Sequence, residues 1–291
     1  MGFIMSLWNN QSEINFFEQA LESFATPEQL FYKLSSGYFA YIPKKVDSEE
    51  QTLQSRNSLI GRFTEKWCRD ILDPIACEFG LFAVNGMICD ELGLGKKTSA
   101  DVAFCNTAEV TQRPDDVKIV FEVKMSIVSN YQYDPAERKL ILKGDYKSHK
   151  GQPSLQRSDS MLKAIGKSVN IRVSGSASRK IPIIVLGNAP IAESYQSKVD
   201  FLKTAGIIQN FLSLNPTPTN SDYVNETPLK GFQTISQLDQ LRQIISQAIH
   251  SDLNFFSSMV PKPQLGEFIR IAAQEKTDIE RANKFLSLIY G

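Results

Sequence analysis

The chain has 291 residues, enough for one large domain or one domain with an extension. It is 42% hydrophobic and 22% charged, with 32 basic and 32 acidic residues. That is an ordinary globular composition, and the zero net charge argues against a protein that binds polyanions over its whole surface. The four cysteines, Cys68, Cys77, Cys89 and Cys105, form no C-x-x-C motif, and there are only two histidines, so a zinc site is not expected. Scattered cysteines in apolar context fit a reducing compartment, and a cytoplasmic protein is expected. The opening "MGFIMSLW" has no basic leader of a signal peptide. No run approaches the ~20 apolar residues of a membrane span, so no membrane partner is expected.

In chain order, residues 11–35 predict a helix, with Ile14, Phe17, Ala20, Leu21, Phe24 and Leu30 at helical spacings. Residues 36–55 read as irregular. A second helix is predicted over 57–72, with Leu59, Ile60, Phe63, Trp67 and Ile71 on one stripe and Pro74 as its limit. "EFGLFAVNGMI" (78–88) predicts a strand. "CDELGLGKKT" predicts a turn; it lacks the lysine–serine ending of a phosphate-binding loop. Two further strands are predicted at 99–106 and 117–127. Residues 128–152 are polar and basic with no clear period. A helix over 152–167 has Pro153 in its first turn. A buried strand is predicted at 180–188 and a helix at 195–214. The Pro-, Thr- and Asn-rich stretch 215–231 predicts a linker or long loop. Helices are predicted at about 232–251, 263–275 and 277–290. The expected fold is mixed α/β, with a helical N-terminal region (1–56), a core (57–214), the linker and a helical C-terminal region (232–291).

Four acid-x-lysine pairs occur where composition predicts about two. Only one of them, Glu122/Lys124 in "VKIVFEVKMS", lies inside an apolar strand. Period-2 alternation puts Glu122 and Lys124 on one face and Phe121, Val123 and Met125 on the other. The preceding strand is "SADVAFCN". A hairpin turning near Thr111–Gln112 brings Asp101 roughly opposite Glu122. Close carboxylates repel each other unless a cation neutralises them, and Mg²⁺ prefers oxygen ligands. Such an ion polarises a phosphoryl oxygen and lowers the pKa of water, while a neighbouring lysine orients that water or stabilises the transition state. The alternative is a surface hairpin with a cross-strand salt bridge.

Asp101, a loop and Glu122-Val123-Lys124 resemble the PD-(D/E)XK nuclease superfamily. The predicted element order from about 57 to 190 resembles the αβββαβ core of restriction endonucleases. The resemblance covers under half the chain. It departs from the family where Ala100, not proline, precedes Asp101; Pro114-Asp115 is too close to Glu122 and falls in the hairpin turn. The resemblance implies Asp101 and Glu122 as Mg²⁺ ligands and Lys124 as activator of the attacking water. It implies Glu65, on the first helix, as a possible supporting acid.

Residues 138–180 hold eleven Lys/Arg and two acids, a net charge of +9, so the remainder of the chain carries −9. A phosphate-backbone surface requires such a concentration. On the helix within it, Leu155, Leu162, Ile165 and Val169 are expected to face inward. Gln156, Ser160, Lys163 and Lys167 are expected to share an outer face. Gln156, Arg157, Lys163 and Lys167 are the expected DNA contacts. The sequence thus points to a Mg²⁺-dependent Type II restriction endonuclease acting on double-stranded DNA, for which the resemblance implies a homodimer. Two rivals remain at this stage: a nuclease of the same superfamily that reads DNA structure, and a DNA-binding module without catalysis.

Overall fold

The structure is a computed structural model. It describes residues 6–23, 25–47, 53–253, 255 and 260–290. Phe24 and the first five residues of "MGFIMSLW" lie outside these.

The chain opens with α1 (Asn10–Ser23) and the short α2 (Pro27–Leu30), then β1 (Tyr32–Leu34) and β2 (Gly37–Phe39). A long α3 (Gln54–Glu78) leads into β3 (Phe82–Met87), β4 (Ala100–Cys105) and β5 (Val117–Val123). Next come β6 (Asn130–Asp134), β7 (Lys139–Gly144), α4 (Ser158–Val173) and β8 (Ile183–Gly187). The chain continues through α5 (Gln196–Thr204), β9 (Asn210–Ser213) and β10 (Phe232–Thr234). It closes with α6 (Leu238–His250), α7 (Lys262–Ala272) and α8 (Asp278–Tyr290).

The fold is mixed α/β. One sheet has the order β10-β9-β8-β5-β4-β3. Its β3, β4 and β5 are antiparallel, and β5, β8, β9 and β10 run parallel. A second, antiparallel sheet has the order β1-β2-β6-β7. Alternation along the central strands divides their side chains between two layers. Val102, Phe104, Ile119 and Phe121 join the core that α3 completes with Ile60, Cys68, Ile71 and Leu72. Ala103, Val120 and Ile183 pack on the other side with Ile171 of α4.

Several expectations need correction. The helix predicted to stop at Pro74 continues to Glu78 with Pro74 inside it. Its last turn buries Ile75 and Ala76, and that burial offsets the backbone bond proline forfeits. Residues 128–152 contain the β6–β7 hairpin, whose signal was the alternation of buried Tyr131 and Tyr133. The helix predicted over 195–214 ends at Thr204; Gly206, at φ +71°, turns the chain, and the remainder becomes β9. The stretch 215–231 runs as a loop between β9 and β10 of the same sheet, and α6 buries Leu241 and Ile245 in the main core.

An aromatic seam ties the smaller sheet to α1 and α3. Trp8 meets Trp67 edge-on at 5.2 Å, Phe17 stacks on Phe31 at 4.7 Å, and Phe31 stacks on Tyr133 at 5.2 Å. The four cysteines are free; Cys77 is exposed and the other three are buried. Among the described residues no helix is long and apolar enough to cross a membrane.

Glu13 of α1 is a buried carboxyl group. Its oxygens accept from Trp8 Nε1 at 3.2 Å, Val128 N at 2.5 Å and Ser129 N at 3.1 Å. It therefore anchors the chain just after the central hairpin. Burial pushes its pKa up to about 7, against the opposing effect of these donors. The folded state thus retains a proton that the unfolded state releases above about pH 4.5. Glu13 favours folding most below that value. This contribution falls as pH rises to about 7, by on the order of 3 kcal/mol. Glu13→Gln should abolish this part of the pH dependence. Urea denaturation of both proteins from pH 4.5 to 8 checks it, and parallel curves would refute it.

Candidate active site

Val102 pairs with Phe121 and Ala103 with Val120. One step further along this register, Asp101 comes opposite Glu122. Glu122 is only 4% exposed, so this face is not a solvated hairpin surface but lies under α4, although a cross-strand ion pair, Lys124 with Asp101, is present. Asp101 Oδ2 accepts from the Val123 backbone N–H at 2.6 Å, which locks its carboxylate against β5.

Two ammonium groups meet the two carboxylates. Lys124 Nζ lies 2.5 Å from Glu122 Oε1 and 3.8 Å from Asp101 Oδ2. Lys167 Nζ lies 2.5 Å from Glu122 Oε2 and 3.0 Å from Asp101 Oδ1. Lys124 follows from strand alternation. Lys167 arrives from α4, where small buried neighbours, Ala164 and Ser168, let the helix come close to the sheet.

Two carboxylates thus face two ammonium groups, and burial still disfavours the charged form of Glu122. Burial raises the Glu122 pKa, repulsion from Asp101 adds to it, and the two lysines only partly oppose the shift. Glu65, half-buried on α3, is also raised by burial and then by Asp101. It makes no ion pair with the site among the described residues, but it lies within reach of the charges of Asp101, Glu122, Lys124 and Lys167. The carboxylates lift the Lys167 pKa, although burial alone would lower it.

Ser154 fixes the approach to this site. It holds φ +51°, outside the usual range for a residue with a side chain. Its Oγ donates to the Lys124 carbonyl at 2.5 Å and accepts from Asn188 N at 3.0 Å, while its N–H donates to Ser126 Oγ at 2.8 Å. One serine therefore links the exits of β5 and β8 to the segment entering α4. Gly187 makes room for it: a Cβ there would lie 2.4 Å from Leu155 Cγ and 2.9 Å from Ser154 Oγ.

Among the described residues no three His, Cys, Asp or Glu side chains gather as a metal cluster. The donor set is the two carboxylates Asp101 and Glu122. That number suits Mg²⁺, which keeps several waters and takes its other ligands from a substrate phosphate. Glu122 Oε2 is buried and has the Lys167 ammonium as its neighbour at 2.5 Å, so a cation held there would take the place of that ammonium.

The expected DNA contacts on α4 separate. Lys163 is exposed and pairs with Asp159 at 2.9 Å. Arg157 is partly exposed, 3.8 Å from the same carboxylate. Gln156 is half-buried at the turn before α4. Lys167 does not share the solvent face of Lys163; it enters the carboxylate pair. The expected apolar stripe is misplaced as well, since Leu162 is 62% and Val169 39% exposed. The helix instead buries Met161, Ala164, Ser168 and Ile171, and the wheel rotates accordingly. The signal for Lys167 was its place beside the small residues Ala164 and Ser168.

Comparisons with family models, with curated proteins and with solved structures return no match.

Lys167→Met should leave the carboxylates with one ammonium and destabilise the fold by about 1–3 kcal/mol. Adding Glu122→Gln should recover part of the loss, because it removes the stranded charge. Lys163→Ala breaks only an exposed pair and should change stability by less than about 0.5 kcal/mol. Urea denaturation of the variants measures all three. Additive losses for Lys167 and Glu122 would show that the two do not interact.

Proposed function

We propose that the chain is a Mg²⁺-dependent endonuclease that hydrolyses phosphodiester bonds of double-stranded DNA, and within that class a Type II site-specific enzyme. One observation carries the reading: Asp101 and Glu122 meet on a buried sheet face with Lys124 between them. A structural ion pair needs one acid and one base. Here two acids are brought together on a buried face, and it takes ammonium groups from two separate elements, Lys124 and Lys167, to pair them.

The order α3, β3, β4, β5, α4, β8 supports the reading further: with the β6–β7 hairpin of the second sheet set aside as an insertion between β5 and α4, it matches the αβββαβ order that the resemblance implies. Its β3–β5 are antiparallel and β8 is parallel to β5. Charge supports it too. Arg138, Lys139, Lys143, Lys147, Lys150 and Lys163 of the basic segment are exposed. Arg172 is not part of that surface. It is buried and donates to the carbonyls of Ser178, Ile181 and Ile207.

In this reading Asp101 and Glu122 hold the cation, and Glu65 supports them. The bound ion supplies Lewis-acid charge to the phosphoryl group and lowers the pKa of the attacking water. Lys124 orients that water and stabilises negative charge developing at phosphorus. Lys167 adds a second ammonium beside the same carboxylates. A second copy of the chain cuts the opposite strand.

Plasmid digestion in Mg²⁺ tests the activity, and discrete fragments rather than a smear test site specificity. Asp101→Asn and Glu122→Gln should each lose cleavage while keeping their circular dichroism spectra. Either variant cutting at the wild-type rate would displace the site. Lys124→Ala should bind DNA normally yet cut at least ~10²-fold more slowly in single turnover, the scale of one lost acid–base or electrostatic group. Lys124→Arg should not restore the rate, because a planar guanidinium differs in shape and cannot take the compact ammonium's place beside the carboxylates. A normal single-turnover rate for Lys124→Ala would reduce Lys124 to a structural ion.

A further inference from the structure

Outside the carboxylate site the structure holds an open cleft of about 430 Å³. One of its walls includes Ser126, two residues beyond Lys124. The others include Tyr32 and Tyr41 from the N-terminal region, Arg56 from α3, and Lys150 and Arg157 from the segment entering α4. Three cationic side chains thus line it, and no carboxylate does among the described residues.

Arg56 is the unusual member. It is 3% exposed. Nη1 donates to the carbonyls of Leu30, at 3.3 Å, and Ala40. The guanidinium lies 4.8 Å from the Tyr41 ring centre and 5.5 Å from that of Tyr32. It has no carboxylate partner among the described residues. Arginine cannot shed its proton to relieve burial, so the cleft wall keeps an uncompensated positive charge. Lys150 is exposed with no ion pair among the described residues. Arg157 has only the exposed Asp159, at 3.8 Å, which Lys163 holds more closely.

The wall behind these charges is rigid. Tyr41 stacks flat on buried His149 at 4.0 Å, and its hydroxyl donates to the Ile127 carbonyl at 2.6 Å. Cationic groups held on a rigid wall are the chemistry that takes a backbone phosphate.

The placement fits a strand crossing the candidate active site. Asn57 also lines the cleft and precedes Glu65 by eight residues on α3, about 12 Å of helix. Arg157 precedes Lys167 by ten residues, about 15 Å.

We propose that this cleft is a second phosphate subsite, which holds a backbone phosphate of the strand that passes Lys124, away from the scissile bond. The identity of the strand rests on the nuclease reading; the preference for an anion rests on Arg56, Lys150 and Arg157.

The test is binding of a fluorescein-labelled duplex oligonucleotide, followed by anisotropy in EDTA from 50 to 300 mM salt, so that no cleavage intervenes. Wild type is compared with Lys150→Ala, Arg157→Ala and, as a control, Lys262→Ala on α7. Lys150→Ala and Arg157→Ala should each bind about tenfold more weakly at low salt, the scale of one charge-assisted hydrogen bond. Each should also lower the salt slope by about one unit, as one lost phosphate contact requires. Lys262→Ala should match wild type. Arg56→Lys keeps the charge and guards against a folding failure of Arg56→Ala; its melting temperature is read alongside. Competition with inorganic phosphate and with a mononucleotide separates the two sources of phosphate: the oligonucleotide should bind far more tightly than either. Wild-type affinity and slope in both Lys150→Ala and Arg157→Ala would overturn the subsite while leaving the nuclease reading intact, provided plasmid is cut in Mg²⁺. Weakened variants of a protein that never cuts would support the subsite and overturn the nuclease reading. A mononucleotide binding as tightly as the oligonucleotide would overturn the strand assignment, and no DNA binding by wild type would overturn both.

Discussion

Two carboxylates on one buried sheet face repel, and the fold is arranged around neutralising them. The β4–β5 register brings Asp101 and Glu122 together. The same pairing presents the Val123 N–H to Asp101, so the strand backbone itself holds the first acid. Strand alternation returns Lys124 to that face two residues after Glu122. The last charge comes from across the layer. For Lys167 to reach the pair, α4 must lie close to the sheet, which Ala164 and Ser168 permit. Ser154 and Gly187 then fix where the helix begins. Moving any one of these alters the charge balance at the centre, not merely local packing.

How much of this was legible depended on which periodicity applied. The Asp101/Glu122/Lys124 trio could be read because strand alternation has period 2 and the hairpin is short; errors had little chain over which to accumulate. The antiparallel order of β3–β5 followed from equally short connections. Lys167 could not be read the same way. A helical wheel fixes which residues share a face but not which face meets the sheet. Leu162 and Val169 are apolar, yet they are exposed, and the helix buries smaller residues instead. Hydropathy therefore pointed to the wrong side. The β6–β7 hairpin was hidden by its charges, since only Tyr131 and Tyr133 of β6 carry the alternation and Ile141 and Leu142 of β7 are both exposed. β9 was absorbed into a helix because a short, wholly buried strand has no alternation to show. Arg56 sits in a helix among polar residues, and nothing in its spacing indicates that its charge is buried without a carboxylate.

The zero net charge of the chain conceals a deliberate separation. Within 138–180 the excess is +9, but two of those cations, Lys167 and Arg172, are turned inward. Arg172 satisfies backbone carbonyls at the end of α4 and serves the fold. Lys167 serves the carboxylates. The remaining charges stay in solvent, where long-range attraction to a polyanion acts before contact. The chain therefore uses the same residue type for three purposes, and only burial distinguishes them.

The two lysines of the central cluster also differ in kind. Lys124 is two residues from Glu122 on the same strand face, so strand alternation alone brings the two together. Lys167 comes from α4, so its place at the pair depends on how closely that helix packs on the sheet.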